Sequence, residues 1–131
     1  SKWRIKMSIA IANLRVQALT RLINSCNLRM ELLAQQQQTL SYTSSAVGSE
    51  YKKAYAYVNG VYGTISAEQE DAFTDKLEQL EPIYYLINEK DNEIDLQLKS
   101  LDTQLKAYTK ELENIEKFKE TQAKKEVPNL S

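Results

Sequence analysis

Asp91 and Asp95 stand four residues apart, so on a helix their carboxylates lie one turn apart on a single face. Such a pair could serve as a hard-cation site or as an acid/base pair. Either use needs further groups, and the chain is poor in them. Histidine is absent, which removes the commonest general base and the commonest metal ligand together. The single cysteine, Cys26, allows neither an intramolecular disulfide nor a zinc cluster. No glycine-rich phosphate loop, nucleophile elbow or zinc spacing occurs. The sequence therefore leads us to expect a non-enzymatic protein with no catalytic residue, metal, cofactor or small-molecule substrate. The two aspartates read as part of a solvated helix face.

The elements that would carry these residues are long helices. Three Gly and two Pro in 131 residues are few for a chain built from β-turns. Counting in alternating steps of four and three from Ile5 gives Ile5, Ile9, Ala12, Val16, Leu19, Ile23, Cys26, Met30, Leu33, Gln37, Leu40, Ser44, Val47, Tyr51, Ala54 and Val58. All but Gln37 and Ser44 are apolar or aromatic, the signature of a continuous coiled-coil seam. The same count from Phe73 runs to Ile115 and is broken only by Asp91. Between the seams, Asn59-Gly-Val-Tyr-Gly-Thr-Ile-Ser66 holds Gly60 and Gly63 and is the best turn in the chain. Ser66 and Gln69 have capping-box spacing, and Glu68, Glu70 and Asp71 suit the positive end of a helix dipole.

The predicted fold is all-α, a long antiparallel helical hairpin forming one domain over residues 1–131. Helix 1 is expected at about 5–58, the turn at 59–66, helix 2 at about 67–124 and a frayed tail at 125–131. An interior proline costs about 3 kcal/mol, and Pro82 admits two outcomes. The uninterrupted heptad phase favours a kinked helix; the competitor starts a new helix at Pro82 and makes a three-helix unit.

Charge divides the chain. Residues 1–60 carry eight Lys/Arg against two acids, and residues 61–131 nine against sixteen, which reads as a basic arm lying on an acidic one. The basic charges are spread thinly rather than clustered, so no nucleic-acid partner is expected. No apolar run is long enough to span a membrane as a helix. Asp91, the one polar residue in the second seam, is expected to pair with Arg29 or Arg21 and to fix the register of the hairpin. Cys26 reads as a small buried hydrophobe.

A two-helix hairpin needs one apolar stripe per arm. Outside its seam the second arm reads as mainly Lys, Glu, Asp and Gln. The first arm carries more: Ile11, Leu14, Ala18, Leu22, Leu28 and Leu32 form a second apolar set beside the seam, expected with Ile9 to widen the sticky face for further chains or another protein. Leu32 to Ser49 contains no charged residue. Gln37, Tyr42 and Ser44 there are candidate contacts with a neighbour through adaptable hydrogen bonds, the alternative being a weakly packed, exposed helix near the hairpin tip. Five of the eight tyrosines, Tyr42, Tyr51, Tyr55, Tyr57 and Tyr62, gather around the turn, either as interface residues or as packing of the tip.

In outline, long arms with a polar tip resemble the secreted axial subunits of type III and flagellar secretion systems, the needle, rod and filament proteins. That resemblance implies arms that pair as coiled coils and subunits that stack into helical polymers, and MSIAIANL would suit an uncleaved secretion signal of that class. The helical hairpins of type VII secretion are a second relative by shape. The turn NGVYG lacks their tryptophan, and Tyr85 and Glu89, which have the spacing of their export signal, fall mid-helix. The leading expectation is a structural protein that assembles with itself into an oligomer or filament. The alternative is an adaptor or chaperone hairpin presenting its wide face to one helical protein partner. The location expected is outside the cell without a cleaved signal in the first case and the cytoplasm otherwise.

Overall fold

The computed structural model describes residues 1–126. Over these residues the protein is an all-α helical hairpin, 93% helical, whose two helices pack against each other. Helix α1 spans Lys2–Val58 and α2 spans Ala67–Glu126. α1 begins earlier than expected because Ser1 caps it: the Ser1 hydroxyl accepts from the Arg4 N–H at 3.3 Å and its carbonyl from the Ile5 N–H at 3.1 Å. α2 continues past the expected end at 124, and the rest of the expected frayed tail, residues 127–131, lies outside the described residues.

The heptad count predicts burial residue by residue. Every seam position of α1 from Ile5 to Val58 is buried or half-buried, and so is every seam position of α2 from Phe73 to Ile115 except Tyr84. Leu19 and Ile94 are the most completely enclosed large side chains, at 0% and 1% exposure. Pro82 sits inside α2, which runs through it without a break, so the three-helix alternative is excluded. Leu80 and Ile87, buried on either side of the proline, hold the seam in phase while Pro82 itself faces solvent.

The chain divides into two compact units. The first comprises Ser1–Glu31 with the chain from Leu98 onward; its core is Ala12, Leu19, Cys26 and Leu101. The second is Leu32–Gln97 and is built on Leu33, Ala54, Leu80, Ile87 and Ile94.

The turn in the second unit is specified atom by atom. Gly60 takes φ +73° just past the end of α1; its N–H donates to the Tyr57 carbonyl at 3.2 Å and that of Val61 to Ala56 at 3.0 Å. These bonds satisfy carbonyls that the end of the helix would otherwise orphan. Gly63, at φ +108°, closes a tight turn by donating to the Gly60 carbonyl at 3.1 Å. Asn59 donates its side-chain amide back to Tyr55 O at 2.8 Å. The capping box then starts α2, the Ser66 N–H donating to Gln69 Oε1 at 3.0 Å and the Gln69 N–H to Ser66 Oγ at 3.1 Å.

Candidate functional site: the outward face of helix α1

Side chains three and four apart on a helix share a face. Met7, Ile11, Leu14 and Ala18 follow that spacing, as do Leu28 and Leu32 further along, but their phase places them across the helix axis from the seam. Ile11 is 62% exposed and Leu14 66%, and Leu22, Leu28 and Leu32 are exposed as well. Leu22 immediately precedes the seam residue Ile23 and lies beside the seam as expected. The rest of the second apolar set points away from α2, so α1 presents one apolar stripe to its partner arm and a second to solvent. Trp3 and Met7, both exposed, extend the outward stripe toward the N-terminus, which the sequence reading missed. Ala18 is half-buried. Ile9 belongs to the seam rather than to the stripe, and lines a groove with Leu112, Glu116 and Ala123.

Gln37 and Ser44 also turn inward. The Gln37 side-chain amide donates to Asp95 Oδ1 at 2.7 Å and to Asp91 Oδ1 at 3.3 Å. The two aspartates, read from the sequence as a solvated pair, are thus joined through a seam glutamine from the opposite arm. This corrects the expected arginine partner of Asp91: Arg21 and Arg29 belong to the first unit, whereas Asp91 finds Gln37 within the second. Seam position meets seam position, and a neutral amide can donate to both carboxylates without bringing a buried charge. Among the described residues, no group of three or more Cys, Asp or Glu could hold a metal ion. Ser44 lines a groove with Leu40, Ile87 and Asn88.

The charge-free stretch offers fewer free donors than its composition suggests. The Thr39 hydroxyl donates to Gln35 O at 3.2 Å and that of Thr43 to Thr39 O at 3.0 Å, each bond internal to α1. Tyr42 is exposed. Of the tip tyrosines, Tyr57 is structural: its ring stacks on Phe73 at 4.6 Å between centroids, with Tyr62 tilted against it at 4.8 Å. Tyr51 and Tyr55 stack at 6.3 Å, and Tyr55 and Tyr62 keep much of their surface in solvent.

The charge pairs between arms flank the seam. Arg15 grips Glu111 with both prongs, Nε to Oε1 at 2.7 Å and Nη2 to Oε2 at 3.0 Å. Hydrogen bonding from Arg15 holds the Glu111 carboxyl below its ordinary range, and the same bonds raise the Arg15 guanidinium. In the second unit, Lys76 lies 4.0 Å from Glu50. Arg15, Glu111, Glu50 and Lys76 each immediately precede a seam residue, the spacing from which these pairs could have been read.

α2 is not the one-stripe helix that its composition suggested. Ile83, Tyr85 and Leu86 are exposed beside Pro82, Tyr85 at 70%, and Leu96 is exposed further along. The seam residue Tyr84 is itself 41% exposed because it faces Gly48, which has no side chain to cover it. In comparisons with protein-family models, curated proteins and solved structures, no family, relative or structure matches this chain. Among the described residues, no helix is long and apolar enough to cross a membrane.

Proposed function

We propose that this chain is a non-enzymatic structural protein that assembles with copies of itself into an oligomer or filament through the outward stripe of α1. The observation carrying this reading is the second apolar stripe, Met7, Ile11, Leu14 and Ala18 and then Leu28 and Leu32, which keeps the seam's spacing on the side of α1 that the hairpin leaves bare and is interrupted at Arg21 and Ser25. An apolar row at coiled-coil spacing suits another helix far better than a small molecule. Fully burying one exposed Leu or Ile gains about 1.5–3 kcal/mol, and Ile11, Leu14, Leu22, Leu28 and Leu32 are available on each copy. The resemblance to needle, rod and filament subunits adds the narrower form of the proposal, a secreted appendage subunit.

Trp3, the only tryptophan, lies on the stripe and reports directly on it. Electron microscopy and light scattering of the purified chain are expected to show extended oligomers, with Trp3 emission moving to shorter wavelength as concentration rises. A monodisperse monomer or dimer with unmoved emission would overturn self-assembly and assign the stripe to one specific helical partner.

A further inference from the structure

The outward stripe of α1 changes character at its N-terminal end. Trp3, Met7, Ile11 and Leu14 are exposed there, Trp3 at 69%. At about 100° of rotation per residue, these four fall within an arc of roughly 80° on the side away from α2. The same rotation puts Lys2 and Lys6 beyond one edge of that arc and Arg4 beyond the other. All three cations are exposed and, among the described residues, join no ion pair. No acid precedes Glu31 in the chain. The facing stretch of α2, where Ile9 meets Leu112 and Ala123, does not cancel this charge, because residues 110–126 carry five Lys against five Glu. An exposed apolar arc with a tryptophan in its first turn is thus edged on both sides by unpaired cations.

We propose that this end of α1 lies on an anionic lipid surface, with Trp3, Met7 and Ile11 sunk at the boundary between headgroups and acyl chains. Charge complementarity selects the occupant. A helix whose apolar arc is edged by Lys and Arg suits the plane of a bilayer, where the arc leaves water and the cations reach lipid phosphates on either side. The indole of a tryptophan favours the same depth. Nucleic acid would use the cations but leave the apolar arc in water. Because α2 packs on the opposite side of α1, the arc can meet a flat surface without the hairpin opening. The inference goes beyond the self-assembly reading and does not rest on it, since all three cations lie ahead of the Leu and Ile side chains assigned to contact between copies.

Sedimentation with vesicles tests it, at protein concentrations below the onset of assembly. Vesicles of equal parts phosphatidylcholine and phosphatidylserine are compared with phosphatidylcholine alone. The chain is expected to bind the mixed vesicles far more tightly, less so as salt rises, with Trp3 emission moving to shorter wavelength. Each cation near such a surface is worth about fivefold in affinity, so Lys2→Gln with Arg4→Gln and Lys6→Gln should weaken binding about a hundredfold. Circular dichroism checks the helicity of that variant. Should helicity fall, Trp3→Gln, which keeps the charge and removes the anchor, takes its place and is expected to bind more weakly. Equal binding to both kinds of vesicle overturns the lipid contact, as does a helical variant of either kind that binds like the wild type. Unmoved Trp3 emission on the bound chain overturns it too, and tight binding of a polynucleotide would then assign the cations to nucleic acid. Light scattering in lipid-free buffer reads self-assembly separately, so the failure of one reading is told apart from the failure of the other.

Discussion

The first unit and the second unit follow one heptad rule but fill it differently. In the first, the buried seam positions are Ala12, Leu19, Cys26 and Leu101, and the cross-arm polar contact is the exposed fork of Arg15 on Glu111. In the second, the seam holds Gln37, Ser44 and Asp91, Gly48 leaves Tyr84 half uncovered, and the tip closes on stacked rings and two positive-φ glycines. Apolar burial is strong but non-directional, whereas a seam amide shared by two carboxylates tolerates one register only. Both units are held by buried apolar area, and the second adds geometric constraints at its seam and its turn.

The sharpest way to break this contrast is at Leu19. Its side chain is fully enclosed in the first unit, so Leu19→Ala is expected to cost about 2–5 kcal/mol in chemical denaturation. Leu14→Ala, on the outward stripe of the same helix, should leave the stability of the isolated chain within about 0.5 kcal/mol. Equal losses at the two positions would mean that the two stripes of α1 are not distinct.

Glycine separates the effects next. Gly60 needs φ +73°, so Gly60→Ala is expected to destabilise the second unit by about 1–2 kcal/mol. Gly48 is helical, and a Cβ there would meet Tyr84 Cε2 at 3.6 Å, an ordinary contact. Gly48→Ala is expected to raise the melting temperature, with a gain of up to about 1 kcal/mol. Opposite signs at two glycines of one unit would confirm that geometry governs it.

At Gln37 the expected loss is smaller. Gln37→Ala removes the amide that Asp91 and Asp95 share and should cost about 1 kcal/mol, measured by thermal unfolding. Replacing Gln37 and Asp91 together by Leu should recover that stability or exceed it, because apolar filling often outperforms a partly buried polar group. A double variant less stable than Gln37→Ala would show that the polar seam contributes net stability rather than register.

The smallest effect belongs to the fork. The Glu111 carboxyl is lowered in the folded chain, so its contribution is present above the ordinary value of 4.5 and is lost as pH falls through the depressed folded value. Arg15 is raised, and its share would fade only at strongly alkaline pH. A titrated unfolding series should show a shallow acid loss in the wild type that Glu111→Gln lacks. An equally steep acid loss in both chains would remove the fork from the account. The pair is exposed, so the difference is expected to be small.

Much of this was legible because burial in a two-helix hairpin follows a single period. Steps of four and three recovered both seams, and Ser66 with Gln69 marked the start of α2 through its own hydrogen bonds. The direction of the second apolar set was not legible in the same way. Ile11 and Leu14 look adjacent to Ile9 and Ala12 in the chain, and only the helical rotation carries them to the far side. The partner of Asp91 was missed because charge suggested an arginine while the seam supplied Gln37. The exposure of Ile83, Tyr85 and Leu86 hid within a continuous apolar run, where composition alone does not tell the buried residue, Ile87, from the exposed ones.

The proposed function gives the two stripes of α1 separate tasks, one closing the hairpin and one joining copies. Light scattering on the wild type beside Leu14→Asp with Leu22→Asp, across a hundredfold range of concentration, tests it most directly. Extended oligomers are expected from the wild type, and from the variant a monomer of unchanged helicity with Trp3 emission like that of exposed indole. A variant that assembles as the wild type does, or a wild type that never leaves the monomer, would contradict it.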